Sequence, residues 1–189
     1  METKQMKKLA VLVSGVGSLL EAMIRDNLPI DFVLADRSCR GIDIAQTAGI
    51  ETEILPRTFG KTFDRYGYTL ETIKVLKSRH IDLVIMAGYM TFFAPVMFKH
   101  FGKRITNIHP SLLPAFKGDH AVRDALEFGV KITGTTIHYA TEELDNGPII
   151  AQEAVPILDN DTVETLWERI KVVERRLYTE TVRKLLKDV

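Results

Sequence analysis

Short, uninterrupted apolar runs constrain the fold of this chain more than any other feature of its sequence. Most of them lead through a loop into a segment whose apolar residues repeat with helical spacing. A strand that is apolar at every position suits a parallel sheet, because helices cover both faces of such a sheet. The clearest runs are Leu9–Val13, Phe32–Ala35, Asp82–Ala87 and the run from Arg104 that stops at Pro110. The sequence therefore predicts an α/β fold with a Rossmann-like, open, mostly parallel sheet flanked by helices.

The C-terminal third of the chain departs from this alternation. Lys131–Tyr139 and Pro148–Val155 have the composition of strands, and the tight turn dipeptide Asn146-Gly147 lies between them. We expect an antiparallel strand pair there, and a final helix that starts after Asp159–Thr162. Because the sequence contains no repeats and no linker, we expect a single catalytic domain over residues 1–189, with a flexible start at 1–7.

Glycines and helical spacing mark the remaining elements. We predict helices over Leu19–Arg25, Ile42–Ala48 and Ala121–Phe128, a brief strand over Thr52–Leu55, and a polar loop from Arg57 to Tyr68 that leads into a helix ending at Val75. Helices thus alternate with strands through most of the chain, as a layered α/β fold requires.

Composition excludes several classes of partner. The 189 residues hold 25 basic and 25 acidic side chains, so the net charge does not indicate electrostatic binding to nucleic acid or membrane. The single cysteine, Cys39, cannot form an intrachain disulfide, which indicates a reducing, cytoplasmic compartment. No apolar run approaches the roughly 20 residues needed to cross a bilayer. We expect small-molecule substrates, no nucleic-acid or membrane partner, no metal, and a monomer or homodimer.

A glycine loop follows the first predicted strand. Ser14-Gly15-Val16-Gly17-Ser18 opens the first predicted helix, where backbone N–H groups are available to bind an anion. The loop is not a P-loop, because the Gly-Lys-Ser/Thr ending is absent, and Leu20 stands where a dinucleotide fingerprint has its third glycine. Asp36, about twenty residues further on, keeps a dinucleotide site open as an interpretation, since a ribose-binding acid is expected there.

Three polar residues form the strongest candidate for a reactive site. Asn107 and His109 are two positions apart on a predicted strand, so their side chains project to the same side. An amide at such a strand end can donate to an oxyanion, and an imidazole can donate a proton. Asp145, in an acidic loop that ends at Gly147, can orient and charge the imidazole. The alternative is that all three are ordinary polar groups of loops and strand ends.

Several motifs carry a resemblance to a known family. They are Asn107-Ile-His-Pro-Ser-Leu-Leu-Pro114, Phe116-Lys-Gly118, Gly134-Thr-Thr-Ile-His138 and Leu144-Asp-Asn-Gly-Pro-Ile-Ile150. In these motifs, and from Leu9 to about Leu185, the chain resembles the folate-dependent formyltransferases. The Asn-x-His…Asp set is shared across that superfamily. Its pairing with the short Ser-Gly-x-Gly-Ser loop points to the branch that formylates glycinamide ribonucleotide in purine synthesis.

The resemblance implies transfer of a formyl group from the co-substrate 10-formyltetrahydrofolate to the amine of 5-phosphoribosylglycinamide. This acyl transfer needs an oxyanion donor, a proton source near neutral pH and a group that tunes that source, roles that fall to Asn107, His109 and Asp145. It requires no serine or cysteine nucleophile, so we expect direct attack by the amine without an acyl-enzyme. The three histidines His109, His120 and His138 are too dispersed for a zinc site.

The resemblance also assigns ligand contacts. It places the substrate phosphate at Gly17, Ser18 and Leu19, and it gives Glu174 on the last helix a contact with the ribose or amine side of the substrate. The family has Gly-Ser-Asn at the phosphate loop, so here only the backbone N–H of Leu19 remains to donate at the third position. The folate-binding residues that it implies are Arg65, Met90, Thr91, Phe92, Phe93, Thr141, Glu142, Glu143 and Leu144.

Two other functions remain open at the level of sequence. A formyltetrahydrofolate hydrolase resembles this chain around the candidate catalytic residues. Such hydrolases carry a regulatory domain before this one and a second histidine where Pro110 stands here, whereas this chain starts directly at its first strand. A nucleotide-binding module without catalysis would use Ser14–Ser18 and Asp36, but it would leave the candidate catalytic residues unexplained.

Overall fold

Strands and helices alternate along the chain in a computed structural model that describes residues 7–58, 60 and 62–187. The strands are β1 (Leu9–Val13), β2 (Ile30–Ala35), β3 (Glu51–Ile54), β4 (Leu83–Met86), β5 (Ile105–His109), β6 (Ile132–Tyr139) and β7 (Ile149–Pro156). The helices are α1 (Ser18–Arg25), α2 (Arg40–Thr47), α3 (Arg65–Ser78), α4 (Pro95–Phe101), α5 (Ala121–Phe128) and α6 (Val163–Lys187), and a 3-10 turn spans Gly102–Arg104. The predicted flexible start lies, apart from Lys7, outside the described residues.

All seven strands belong to one sheet in the order β3-β2-β1-β4-β5-β6-β7. Strands β1 to β5 pair in parallel, whereas β6 pairs antiparallel with β5 and β7 antiparallel with β6. The predicted fold class and the predicted antiparallel pair are therefore confirmed. The strand order reverses direction at β1, which lies between β2 and β4, and ligands of open α/β sheets bind in the crevice at such a point.

Two apolar layers cover the sheet, as the sequence pattern of β1 requires. All five residues of β1 are buried, because alternate side chains enter opposite layers. Leu9, Val11 and Val13 pack with residues of α1, α2 and α6, and Ala10 and Leu12 pack with residues of α3 and α4. The central strands thus form a rigid floor, and the loops that follow them are left to build a site.

Helix α3 begins earlier than the sequence pattern predicts. The predicted polar loop runs to Tyr68, but the helix starts at Arg65. The side chain of Asp64 caps this helix, because it accepts a hydrogen bond of 2.9 Å from the backbone N–H of Gly67. Gly67 therefore occupies the first helical turn rather than a loop. The earlier start places Arg65 on the first turn of a helix instead of in a mobile connection.

The connection between β6 and β7 is longer than the predicted tight turn. It spans residues 140–148, which we call the β6–β7 loop, and Asp145 within it adopts a left-handed backbone with φ of 50°. The loop folds back toward β5, so that Asp145 reaches His109. A Cβ atom added at Gly147 would lie 1.7 Å from the Tyr139 carbonyl oxygen. Gly147 thus serves a close backbone approach rather than a two-residue hairpin.

Candidate active site

The centre of the site is a close contact between a histidine at a strand end and an aspartate on a loop. His109 is the last residue of β5, and its Nδ1 atom lies 3.3 Å from Oδ2 of Asp145 on the β6–β7 loop. Both residues are only 5% exposed. An imidazole and a carboxylate at this distance attract each other strongly where water is largely excluded. The structure thus brings together two of the three residues predicted to be catalytic.

The second ring nitrogen of His109 also faces an acceptor. His109 Nε2 lies 2.8 Å from the carbonyl oxygen of Phe116, which can only accept a hydrogen bond. A neutral imidazole has one N–H group, so it can donate either to Phe116 or to Asp145. Only the imidazolium can donate to both acceptors at once.

Asp145 has two further neighbours. Its Oδ2 atom accepts a hydrogen bond of 3.0 Å from the backbone N–H of Gly118, and its Oδ1 atom lies 3.7 Å from Nε2 of His138. His138 is buried, and this burial lowers the pKa of its imidazole below the usual value, which favours the neutral ring. Because His138 Nδ1 lies 3.0 Å from the Tyr139 carbonyl, the neutral ring has its proton on Nδ1 and its Nε2 free to accept. Among the described residues, His138 Nε2 makes no hydrogen bond.

Asn107 faces the same place from β5. It pairs with His138 across the sheet, and its side chain lines a cavity together with His138 and Asp145. Within the part of the chain that the structure describes, the amide group of Asn107 has no hydrogen-bond partner. Its N–H groups are therefore available to a ligand. Asn107 and Asp145, two of the predicted catalytic residues, thus line this cavity, and His109 contacts Asp145 from outside the lining.

The cavity has a volume of about 550 Å³, and its lining is mostly apolar. Its lining residues are Arg65, Met86, Tyr89, Phe92, Phe93, Phe98, Asn107, His138, Ala140, Thr141, Glu142, Glu143, Leu144 and Asp145. Most of the residues predicted to bind folate are in this set. A mostly apolar cavity with a few convergent polar groups is the usual form of a small-molecule site.

Two predicted folate residues lie outside this lining. The hydroxyl of Thr91 is buried and donates a hydrogen bond of 2.6 Å to Oδ2 of Asp36. The side chain of Met90 is 55% exposed, and its backbone N–H donates to the Ser14 hydroxyl at 2.8 Å. Both residues tie the loop after β4 to neighbouring strand ends. Their predicted part in folate binding remains a prediction.

Arg65 supports the wall of the cavity. Its Nε atom donates to the carbonyl oxygen of Phe92 at 3.2 Å, and its Nη2 atom donates to that of Phe93. The same guanidinium also lines an adjoining cavity with Arg57 and Phe63. Arg65 therefore fixes the aromatic loop and adds a positive charge at the junction of the two cavities.

The glycine loop before α1 keeps the features of an anion site. Gly17 is the N-cap residue with φ of 75°, and within the described chain no side chain caps α1. A Cβ atom at Gly17 would lie 2.7 Å from the Cα atom of Gly41, so a larger residue would push the loop away from α2. Leu19 is buried in the core, which leaves its backbone N–H as the only group that it can offer.

A groove between α1 and α6 adjoins this loop. Ser18 lines the groove together with the arginines Arg25, Arg175 and Arg176. Sequence patterns do not single out Arg175 and Arg176, because α6 lies about 150 residues from the loop in sequence and its basic residues resemble an ordinary solvated helix face. Their common position is a result of the packing of α6 on α1.

Glu174 occupies an unusual environment on α6. The carboxyl is half-buried, and desolvation raises its pKa to about 7, although the nearby Lys171, Arg175 and Thr135 act in the opposite direction. The hydroxyl of Thr135 also donates to the carbonyl oxygen of His109 at 3.2 Å. Glu174 therefore lies near Thr135 of β6, on the side that α6 covers, and β6 is paired with β5, the strand that carries His109.

Asp36 does not offer a ribose site. It is 1% exposed, and both of its carboxylate oxygens accept hydrogen bonds of 2.8 Å from Arg37. Burial alone would raise the pKa of Asp36, but hydrogen bonds from Arg37, Thr91 and Ser14 outweigh it and hold the pKa below its usual value. A buried carboxylate with this many partners cannot bind the hydroxyls of a nucleotide. The structure therefore argues against the dinucleotide interpretation.

The described residues form neither a metal-binding cluster nor a membrane-spanning helix. No group of three or more histidine, cysteine, aspartate or glutamate side chains in that part of the chain is placed to hold a metal ion. Among the described helices, none combines the length and the apolar character needed to span a membrane.

Comparisons with known proteins agree with this geometry. The sequence profile of a family described as formyl transferase matches residues 7–182. Phosphoribosylglycinamide formyltransferase of Mycobacterium tuberculosis is 41% identical over 184 residues, which cover 94% of this chain and 84% of the relative. The human trifunctional purine biosynthetic protein adenosine-3 is 38% identical over 182 residues, or 93% of this chain, but the chain spans only 18% of that longer protein.

A solved structure gives the same result at the level of fold. The crystal structure of glycinamide ribonucleotide transformylase 1 from Symbiobacterium toebii superposes with a TM-score of 0.88 and 39% identity. The match covers 96% of this chain and 88% of the other. Because the family profile spans nearly the whole chain, the chain belongs to the formyl transferase family.

Proposed function

We propose that this chain transfers the formyl group of 10-formyltetrahydrofolate to the amine of 5-phosphoribosylglycinamide, the reaction for which its relatives are named. The observation that carries the proposal is the buried His109–Asp145 pair together with the unpartnered amide of Asn107, since Asn107 and Asp145 line the same mostly apolar cavity. A charged imidazole and a free amide donor are the two groups that this acyl transfer needs.

The proposed mechanism is a direct displacement. The amine of the ribonucleotide attacks the formyl carbon, and the formyl oxygen becomes an oxyanion to which the Asn107 amide donates a hydrogen bond. When the bond between the formyl carbon and the folate nitrogen breaks, the His109 imidazolium gives its proton to that nitrogen. The proton that the attacking amine loses restores the imidazolium. Asp145 keeps the ring charged and oriented throughout.

The proposed binding of the ribonucleotide uses elements from both ends of the chain. The backbone N–H groups of Gly17, Ser18 and Leu19 and the Ser18 hydroxyl hold the phosphate. Arg175, in the groove that Ser18 also lines, supplies a positive charge where the family asparagine is replaced by leucine. Glu174 accepts hydrogen bonds from the ribose or amine side of the substrate.

The folate is proposed to occupy the apolar cavity. Its ring system packs between the aromatic loop of Phe92 and Phe93 and the β6–β7 loop residues Thr141–Leu144. Arg65 at the cavity junction faces the end of the ligand that carries carboxylates. The formyl group then lies beside Asn107, which also lines this cavity.

A spectrophotometric assay tests the proposed function. The absorbance change on consumption of 10-formyltetrahydrofolate is followed with and without 5-phosphoribosylglycinamide. Turnover that depends on the amine supports the transferase, whereas equal turnover without it identifies the hydrolase. Binding of a nucleotide without turnover in either assay would instead support the module without catalysis.

The proposal also covers the domain organisation, location, oligomeric state and partners of the protein. Residues 1–189 act as one catalytic domain in the cytoplasm, as a monomer or homodimer, on small molecules and without a nucleic-acid or membrane partner. Light scattering coupled to gel filtration, run with and without the two ligands, measures the molar mass that decides between monomer and homodimer.

A further inference from the structure

A three-residue segment between β5 and α5 touches both members of the catalytic pair. The Phe116 carbonyl oxygen lies 2.8 Å from His109 Nε2, and the Gly118 N–H donates to Asp145 Oδ2 at 3.0 Å. Phe116 and Gly118 both have left-handed backbones, with φ of 51° and 90°. We call this segment, Phe116–Gly118, the strap. Its two outer residues thus contact the two partners of one ion pair through backbone groups.

The middle residue of the strap makes a different contact. The ammonium of Lys117 donates to Oδ1 of Asn146 at 2.5 Å, and the amide nitrogen of Asn146 donates to Oε2 of Glu143 at 2.7 Å. Glu143 is tied in turn to the start of the β6–β7 loop, because the Thr141 hydroxyl donates to its carbonyl oxygen at 2.9 Å. Lys117 therefore stands at the end of a hydrogen-bonded chain that links Asn146, Glu143 and Thr141 of the β6–β7 loop.

We propose that Lys117 is a positioning residue: through Asn146 it holds the β6–β7 loop in the conformation in which Asp145 faces His109. The inference rests on the proposed function, because it assigns that loop to the folate site. Asp145 adopts a left-handed backbone, and a non-glycine residue keeps such a conformation only where surrounding contacts hold it. The contact between Lys117 and Asn146 lies one residue from Asp145 and supplies such a hold.

Charge explains why a lysine suits this position. The β6–β7 loop carries three acidic residues, Glu142, Glu143 and Asp145, close together in sequence. Their mutual repulsion opposes a folded loop, and the Lys117 ammonium brings a positive charge to the loop through its contact with Asn146. Because Lys117 and Asn146 are both exposed, salt screens this attraction. The effect of Lys117 should therefore be larger at low ionic strength.

The kinetic test compares Lys117→Met with Lys131→Met, which removes an exposed lysine at the start of β6. Without its hold, the loop must be ordered by the folate itself. Lys117→Met should raise the KM for 10-formyltetrahydrofolate about 3–10-fold at low salt, with kcat and the KM for the ribonucleotide within twofold of the unmodified protein. Lys117→Arg should restore most of the loss. Asn146→Ala should resemble Lys117→Met, and the double variant should be no worse than either.

A second measurement does not depend on formyl transfer. Hydrogen exchange of the amides at 141–147, without any ligand, should be faster in Lys117→Met than in Lys131→Met and the unmodified protein. If the unmodified protein shows no formyl transfer but this exchange difference appears, the proposed function fails and the positioning role stands. Exchange and KM values in Lys117→Met that match those of Lys131→Met would overturn the positioning role. A fall in kcat with an unchanged KM for folate would also overturn it.

Discussion

At the scale of single residues, one carboxylate lies close to two histidines. Asp145 lies 3.3 Å from His109 and 3.7 Å from His138. The other ring nitrogen of each histidine faces a backbone carbonyl oxygen, that of Phe116 for His109 and that of Tyr139 for His138. Burial lowers the pKa of His138 and favours its neutral form. Asp145 therefore lies between the proposed acid and a neutral imidazole. Their sequence positions do not reveal this arrangement, because it depends on the path of the β6–β7 loop.

The roles of Asn107 and His109 can be tested by removal. Asn107→Ala takes away the proposed oxyanion donor, and His109→Ala takes away the proposed acid. Turnover should fall by about 10²–10³ for the first and by about 10²–10⁴ for the second. Circular dichroism and ligand titration should show a folded protein that still binds both substrates. Near-normal turnover in His109→Ala would overturn the mechanism.

The coupling of His109 and Asp145 needs a double-mutant cycle. Asp145→Asn keeps a side chain that tolerates the left-handed backbone but removes the charge. Because Asp145 acts through His109, the double variant should lose much less turnover than the product of the two single losses. The four rates are measured at one pH, with ligand binding checked separately. Independent, multiplicative losses would show that Asp145 has another role.

Glu174 should make the stability of the protein depend on pH. Its pKa of about 7 in the folded chain lies above the value of 4.5 for an unperturbed glutamate. Between these values the folded state binds more protons than the unfolded state, so the free energy of unfolding decreases as pH rises from about 4.5 to 7. One pKa unit corresponds to about 1.4 kcal/mol, and solvent access to the half-buried carboxyl reduces the total to about 2 kcal/mol.

Glu174→Gln should remove this dependence. Measured by thermal unfolding without ligands, the substitution should stabilise the protein at pH 8 relative to its effect at pH 5. Glu127→Gln, an exposed carboxylate on α5, is the control. An identical pH dependence in Glu174→Gln and the unmodified protein would contradict the assignment of the raised pKa to this residue.

At the scale of elements, the loops at the ends of the strands carry the binding functions. The glycine loop between β1 and α1 offers backbone N–H groups, and Ser18 adds a hydroxyl. Ser18→Ala should therefore raise the KM for the ribonucleotide about 3–10-fold and leave the KM for folate within twofold. Ser38→Ala, an exposed serine after β2, serves as the control. Equal changes in both KM values would count against a phosphate site at this loop.

Two loops should respond together to the folate. Saturating folic acid should slow the hydrogen exchange of backbone amides at 89–93 and at 141–147, because the cavity lies between these loops. Amides of α5, 121–128, which lie outside the cavity lining, should not change. If neither loop is protected, the folate is bound elsewhere.

The sequence predicted the elements better than it predicted the loops. Apolar runs locate β1, β2, β4 and β5, because complete burial leaves an unambiguous pattern. The predicted start of α3 was wrong, because a capping aspartate and a glycine in the first turn resemble a polar loop in sequence. The prediction of a tight turn between β6 and β7 was also wrong. Asn-Gly is typical of hairpins, but contacts with β5 and the strap shape this loop.

The candidate site shows the same limit. Asn107, His109 and Asp145 could be selected from residue type, spacing and resemblance. The Lys117–Asn146 contact could not, because it joins residues 29 apart through the paths of two irregular segments. Ser18 and Arg175 line one groove because two helices pack together. Local sequence patterns carry no information about that packing. Sequence thus predicts which residues carry chemistry, and tertiary contacts decide which residues position them.

At the scale of the whole molecule, α6 connects the sheet to the site. The Tyr178 hydroxyl is 2.8 Å from the hydroxyl of Thr106 on β5, and both residues are fully buried. Tyr178→Phe leaves the Thr106 hydroxyl without this partner, so we expect a loss of about 1–3 kcal/mol in the free energy of unfolding. Denaturant unfolding measures it, with Tyr66→Phe, an exposed tyrosine, as the control. A loss no larger than that of Tyr66→Phe would show that this contact adds nothing to stability.

The packing of α6 on α1 has a consequence for how the protein is made. The last helix covers β1 and α1, and the side chains of Lys7 and Arg183 bond to backbone carbonyl oxygens of Leu185 and Asp26 at 2.8 Å. A ribosome releases the N-terminal strands first, and domains fold as units once their parts are available. Although α1 and α2 are made early, the part of this apolar layer that α6 covers therefore stays exposed until residues 163–187 have emerged. During translation this part is the surface that chaperones or premature association would meet.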